Sequence, residues 1–220
     1  FKMINATKKW IFLKLSGATL IPLMLWFIFS LNTIYDQEYI NLVNVGSLIH
    51  DKAQHQLLKS FAIALKRNSR IRLIIIGEGP ERKVLELLAS SLGISSEVDF
   101  IGYVESESIL YEHLRSADIF VLSSITEGFP RVLYEAMAMC LPIVTTDVGG
   151  IPNLMADKEN ALLVGYGQNT DFADAICTMI DNDELRKKIM SNGLKTINSV
   201  FSQVDFRQTS KLVSNYYNPS

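Results

Sequence analysis

Five short apolar runs, rich in β-branched residues, recur along the chain with helical patterns between them, and this rhythm leaves few folds open. The runs are INLVNVG (Ile40 to Gly46), IRLIIIG (Ile71 to Gly77), VDFIG (Val98 to Gly102), DIFVLS (Asp118 to Ser123) and LPIVTT (Leu141 to Thr146). A strand with one solvated face alternates apolar and polar residues. These runs are apolar on both faces, which predicts strands covered on both sides, as in a parallel sheet. Amphipathic stretches at Gln54 to Arg67, Glu81 to Leu92, Ser106 to Ser116 and Val132 to Met139 predict the covering helices. A weaker strand, ALLVG (Ala161 to Gly165), precedes helical patterns at Asp171 to Ile180 and Asp183 to Val200. The expected fold is α/β, a Rossmann-like doubly wound parallel sheet, in which ligands bind beyond the carboxyl ends of the strands.

Size and charge narrow the classes of function. A chain of 220 residues allows one full domain with an appendage. Its 21 Lys and Arg are balanced by 23 Asp and Glu, so no basic field exists to hold phosphates, and no nucleic-acid partner is expected. Cys140 and Cys177 form no C-x-x-C pair, which fits a reducing compartment without zinc. The appendage is residues 1–40. Within it, Trp10 to Leu31 is 22 residues with one charge, Lys14, long enough at about 1.5 Å per residue to cross a hydrocarbon core of roughly 30 Å. This predicts a transmembrane or membrane-associated helix over about 10–31. Lys2, Lys8, Lys9 and Lys14 on one side and Asp36 and Glu38 on the other keep the N-terminus cytoplasmic, so a true span would export the rest of the chain. Pro22 and Lys14 favour instead a segment lying in the interface. The chain begins at Phe1 without an initiating Met, as a fragment or processed product would.

The loops after the strands are where chemistry is expected. In G-E-G-P (Gly77 to Pro80), Arg82 stands where a dinucleotide fingerprint needs its third glycine, and no G-x-x-x-x-G-K-[ST] occurs, so dehydrogenase and P-loop functions drop out. A tight strand-to-helix turn remains. The stretch SSITEGFPRVLYEAMAMCLPIVTTDVGGIP (Ser123 to Pro152) carries more. Glu127 lies in a loop leaving a strand, and Glu135 near the first turns of the next helix, with Gly128 and Pro130 breaking the chain between them. The N–H groups of that helix start suit a phosphate or pyrophosphate. A carboxylate further in suits two ribose hydroxyls, and the loop carboxylate suits hydroxyls of a group on the distal phosphate. The same two acids also read simply as a helix start favoured by its dipole. The D-x-D at Asp181 to Asp183 reads as helix capping. His50, His55 and His113 have no acid or cysteine at metal-ligand spacing, and no metal is expected. Tyr216 and Tyr217 are expected to pack a terminal helix.

From Ala117 to Pro152 the sequence resembles the donor-binding half of glycosyltransferase family 4, retaining enzymes of the GT-B fold, whose E-x7-E motif Glu127 and Glu135 meet. VGSLIHDK (Val45 to Lys52), LIIIGEGPE (Leu73 to Glu81), VDFIGYV (Val98 to Val104) and ENALLV (Glu159 to Val164) agree in order and spacing, so the resemblance runs from about Asn41 to the C-terminus. It implies that residues 41–220 are a C-terminal nucleotide-sugar-binding domain. It further implies that Glu135 holds the ribose hydroxyls, that Glu127 contacts the donor sugar, and that Lys52 meets the diphosphate. The arginine that usually follows Gly46 is Ser47 here, for which Arg131 offers a partial substitute. The backbone through Gly128, Phe129, Pro130, Arg131 and Val132 would cradle sugar and pyrophosphate, and Gly102, Tyr103 and Val104 would pack against the base. Cys140 and Asn153 replace the family's frequent glycine and glutamate.

The implied activity is hexose transfer from a UDP- or GDP-linked nucleotide sugar to a saccharide or lipid-linked acceptor, in polysaccharide or glycolipid synthesis. Retention is implied, with no metal and no cofactor, because N–H groups and a lysine stabilise the charge on the departing pyrophosphate. The implied location is the cytoplasmic face of a membrane, peripheral or single-pass. A GT-B enzyme has a second, acceptor-binding domain, which the roughly 40 residues before Asn41 cannot build. A donor half needing a separate acceptor-domain polypeptide is therefore expected, and the alternative is a truncated, non-catalytic nucleotide-sugar-binding module needing a partner chain.

Overall fold

The computed structural model describes residues 39–128 and 130–203. The predicted membrane segment at about 10–31, Phe129, Tyr216 and Tyr217 lie outside the described residues. Among those described, no helix is long and apolar enough to cross a membrane.

Six strands and six helices follow in order: β1 (Ile40–Val45), α1 (Gln54–Arg67), β2 (Ile71–Ile76), α2 (Arg82–Leu92), β3 (Val98–Gly102), α3 (Glu107–Arg115), β4 (Ile119–Leu122), α4 (Arg131–Ala138), β5 (Ile143–Thr146), β6 (Leu162–Val164), α5 (Asn169–Asp181) and α6 (Asp183–Gln203). Short 3₁₀ turns occupy His50–Lys52 and Ile151–Asn153. All strand pairs are parallel, in the order β3-β2-β1-β4-β5-β6, which is the doubly wound sheet the apolar runs predict. β4 and β5 are buried at every position. Alternate residues feed two cores, with Leu42, Phe61, Leu73, Val121, Val144 and Phe172 on one face and Val43, Phe120, Leu133 and Ile143 on the other.

Strands end a residue or two short of several apolar runs because the boundary residues serve loops. Leu141, predicted to open a strand, instead closes α4: its N–H bonds the carbonyl of Ala136 at 2.9 Å while Cys140 N–H bonds that of Met137 at 3.0 Å. Cys140 sits at φ 55°, the left-handed cap of a Schellman motif, where α2 uses Gly93 at φ 71° with the equivalent bonds. A left-handed non-glycine residue costs about 1–2 kcal/mol, and glycine returns about half of that as chain entropy. Cys140→Gly is therefore expected to stabilise the domain by about 0.5–1 kcal/mol, read as a higher urea midpoint; a lower midpoint would refute the strain.

The strand order reverses between β1 and β4. Their backbone ladder covers Leu42 with Ile119 and Val43 with Phe120, and beyond it the Asn44 side chain donates to the carbonyl of Val121 at 2.8 Å. Asn44 is 1% exposed, a buried polar residue between Val43 and Val45, and it holds the two strands together where they begin to part. The crevice above this point lies between the loops that follow β1 and β4.

Candidate functional site

Both loops at the crevice are tied down by their own chain. After β1, Gly46 N–H donates to Ile76 O at 2.9 Å and Leu48 N–H to Glu78 O at 2.9 Å, joining this loop to the G-E-G-P turn after β2. Glu81 N–H returns a bond to Leu48 O at 3.0 Å, so the tight strand-to-helix turn expected there is present. Ser47 is exposed, and its carbonyl accepts from the buried Gln54 Nε2 at 3.1 Å. Ala53 takes a left-handed φ of 48° just before α1. The loop after β4 meets this one directly, with Ile125 N–H donating to Asp51 O at 2.8 Å.

Between the loops, Lys52 Nζ donates to Glu127 Oε1 at 2.5 Å. Glu127 is 8% exposed and Lys52 24%, so the pair is largely withdrawn from water and stronger than a surface salt bridge of the same length. Ser124 Oγ donates to the same Oε1 at 2.6 Å. The loop after β5 supports Glu127 from behind: Gly150 N–H donates to the Glu127 carbonyl at 2.9 Å. A Cβ on Gly149 would stand 2.0 Å from that carbonyl oxygen, and one on Gly150 would stand 1.7 Å from the oxygen of Gly128. Gly149 also has φ 56°. Only glycine permits this backbone-to-backbone contact.

Helix α4 starts beside Glu127. Pro130 is its N-cap and provides no side-chain bond, and Leu133 N–H turns back to the Pro130 carbonyl at 3.0 Å. Among the described residues nothing accepts from the N–H groups of Gly128, Arg131 or Val132, which leaves donors and a partial positive charge at the crevice. Arg131 is exposed at the first helical position. Glu135 lies one turn further on, half-buried. Burial holds its carboxyl above the usual range, Arg131 pulls it back in part, and Glu107 at the start of α3 adds to the rise.

Lys52 and Glu127 are thus in direct contact, Gly46 and Ser47 lie on the same loop as the lysine, and Gly128, Pro130, Arg131, Val132 and Glu135 continue from the glutamate. Gly102, Tyr103 and Val104 stand apart at the end of β3, separated from β1 by β2. Gly102 O accepts from Gly77 N–H at 2.9 Å, Tyr103 is 72% exposed, and Val104 packs against the second core. Ser123, Ser124, Thr146, Gln54 and Gly149–Gly150 were not singled out by sequence. The signal that Ser123, Ser124 and Thr146 carried was hydroxyl groups at the ends of otherwise apolar runs.

The remaining polar groups have local roles. Asn182 caps α6 by accepting from Leu185 N–H at 3.0 Å, between the aspartates of the D-x-D, and Asp183 pairs with Lys187 and Arg186 at 2.6 Å each. Lys187 first, then Arg186, hold the Asp183 carboxyl below its ordinary value. His50 and His55 stack with ring centroids 5.9 Å apart, and His50 has an acid nearby after all, Glu81 at 3.8 Å. No group of three metal-capable side chains occurs among the described residues.

Residues 31–196 match the family model described as glycosyl transferases group 1. The lipopolysaccharide core biosynthesis glycosyltransferase LpsE of Rhizobium meliloti is 32% identical over 162 residues, 74% of this chain and 46% of that protein. HepE of Anabaena, solved in complex with UDP, superposes with a TM-score of 0.69 at 23% identity over 84% of this chain and 52% of that one. The C-terminal domain of a group 1 family glycosyl transferase, LpcC of Francisella tularensis, gives a TM-score of 0.66 at 26% identity over 76% of this chain and 90% of that domain. The chain spans less than half the length of the first curated relatives it matches.

Proposed function

Because the chain belongs to the group 1 glycosyl transferases and corresponds to their C-terminal domain, we propose that residues 41–220 bind the nucleotide-sugar donor of a retaining, family 4 type hexosyltransferase. The observation that carries this reading is the Lys52–Glu127 pair lying across the β1–β4 crevice, beside a helix start with unused N–H donors and a half-buried carboxylate one turn in.

In this reading the N–H groups of Gly128, Arg131 and Val132 and the cations of Lys52 and Arg131 receive the diphosphate, without a divalent ion. The bond from the sugar C1 to a diphosphate oxygen and the acceptor's O–H bond break, a bond from C1 to the acceptor oxygen forms, and the hydroxyl proton leaves on the departing diphosphate. Negative charge gathers on the departing diphosphate, where fixed donors stabilise it. Glu127 meets the sugar hydroxyls and Glu135 the ribose diol. HepE holds UDP, which makes uracil the first base to try, at the end of β3 near Tyr103. LpsE acts in lipopolysaccharide core synthesis, so a saccharide or lipid-linked acceptor at the cytoplasmic face of a membrane is proposed here, presented by an acceptor-binding domain. Nucleotide-sugar binding without transfer is the competing reading. A transfer assay with and without a separate acceptor-domain protein separates the two.

The test is calorimetric titration of the chain with UDP, GDP and ADP in the presence of a chelator. Selective binding is expected, and Glu135→Ala should weaken it tenfold to 150-fold, about 1.5–3 kcal/mol for charge-assisted bonds to the diol. Equal affinity for wild type and variant would remove the ribose role. The pH dependence has a definite sign. A raised carboxyl holds its proton to higher pH, and a protonated Glu135 accepts hydroxyl bonds poorly, so wild-type affinity should fall on acidification. Acid does not weaken the fold through this residue, because its protonated form is the one favoured by burial. Glu135→Gln should lose that component of the pH profile.

A further inference from the structure

Two adjacent serines at the end of β4 each hold one member of the charged pair, and we propose that Ser123 and Ser124 are positioning residues, the first for Lys52 and the second for Glu127. The inference rests on the donor-site reading above. Both serines are buried, at 2% and 0% exposure, in a run that is otherwise apolar. Successive residues leaving a strand face opposite ways, so one dipeptide reaches both loops. Ser123 Oγ lies 3.2 Å from the carbonyl oxygen of Lys52 and 3.1 Å from that of Ala53, sharing its single proton between them. It therefore fixes the backbone from which the lysine extends, at the point where Ala53 is in the left-handed region. Ser124 Oγ donates instead to the Glu127 carboxylate, on the oxygen that also receives Lys52. Among the described residues both bonds fall on Oε1 and none on Oε2, the oxygen proposed to meet the ligand. Thr146 Oγ1, from the end of β5, donates to the Ser124 carbonyl at 2.8 Å and anchors the dipeptide to the neighbouring strand.

Lysine and glutamate are long and lose rotamer freedom when ordered, so hydroxyls that order them in advance lower the cost of binding at the atom each serine controls. Ser123 acts through the lysine, and its effect belongs to the diphosphate. Ser124 acts through the glutamate, and its effect belongs to the sugar.

The experiment is calorimetric titration of the whole chain and of Ser123→Ala, Ser124→Ala and Ser124→Thr with UMP, UDP and UDP-glucose, with thermal unfolding of each variant. Ser123→Ala should keep its UMP affinity within about twofold and lose about fivefold or more of the preference for UDP over UMP, the worth of one hydrogen bond. Ser124→Ala should keep the UDP-to-UMP ratio and lose about fivefold or more of the ratio of UDP-glucose to UDP affinity, which Ser124→Thr should restore. A merely structural role would lower the melting temperature and weaken all three ligands in proportion, and that result overturns the proposal, as does a set of unchanged ratios. If wild type itself binds no nucleotide, the donor-site reading has failed, and this result is distinct from either of those.

Discussion

Replacing Glu127 by alanine is expected to lower the rate of sugar transfer by about 10²–10³-fold, the usual cost of removing one preorganised polar contact at a reacting centre. The variant loses the proposed contact to the donor sugar and frees Lys52 from the oxygen it now bonds at 2.5 Å. These consequences oppose each other in a binding experiment. A lysine released toward the diphosphate should hold UDP at least as well as before, while the sugar is oriented less well. The expected pattern is therefore a large loss in kcat with UDP affinity kept or improved, measured as transfer to acceptor with the acceptor domain supplied. Glu127→Gln retains an oxygen for Ser124 but not the charge, and should fall between. An unchanged rate in the alanine variant would remove Glu127 from the site.

The second large effect concerns the fold. Phe61 lies on the inner face of α1, is 0% exposed, and packs in the core shared by Leu42, Leu73 and Phe172. Phe61→Ala leaves a cavity that rigid strands on one side cannot close, and should cost about 3–5 kcal/mol. For a domain of this size that is a drop in Tm on the order of 10 °C. Because the first residues of α1 bear on the lysine loop, with Gln54 bonding Ser47 O, loosened packing should also weaken nucleotide binding, although Phe61 faces away from the crevice. A loss under 1 kcal/mol in denaturant unfolding would contradict the packing described.

Much of this architecture could be read from the chain because the information is local and repeated. Runs such as IRLIIIG and DIFVLS have no polar face, so a covered parallel strand was the only economical reading, and the helix at Gln54–Arg67 falls where its periodicity puts it. The two acids were legible for the same reason, since a loop with Gly128 and Pro130 fixes the start of the helix carrying Glu135. What was not legible depends on contacts between distant segments. No spacing rule connects Lys52 with Glu127, 75 positions away, and none shows that Ser123 and Ser124 reach different loops. The apolar pattern puts Leu141 in a strand because apolar character does not distinguish a helix-closing contact from a strand start. The geometry at Cys140 was equally hidden, since a left-handed residue is recognisable in sequence chiefly when it is glycine.

The two glycines behind Glu127 also bear on how freely this site can change its substrate. Their contact with the loop is made by main chain alone, so it carries no side-chain identity. At 149 and 150 the permitted alphabet shrinks to one letter, because a single methyl would meet a carbonyl oxygen at 2.0 or 1.7 Å. Variation that retunes donor affinity and base preference should therefore accumulate at exposed positions such as Ser47, Arg131 and Tyr103, while the scaffold holding the carboxylate stays fixed. A saturation library at these five positions, selected for folding alone, should return glycine at 149 and 150 and diversity at 47, 131 and 103.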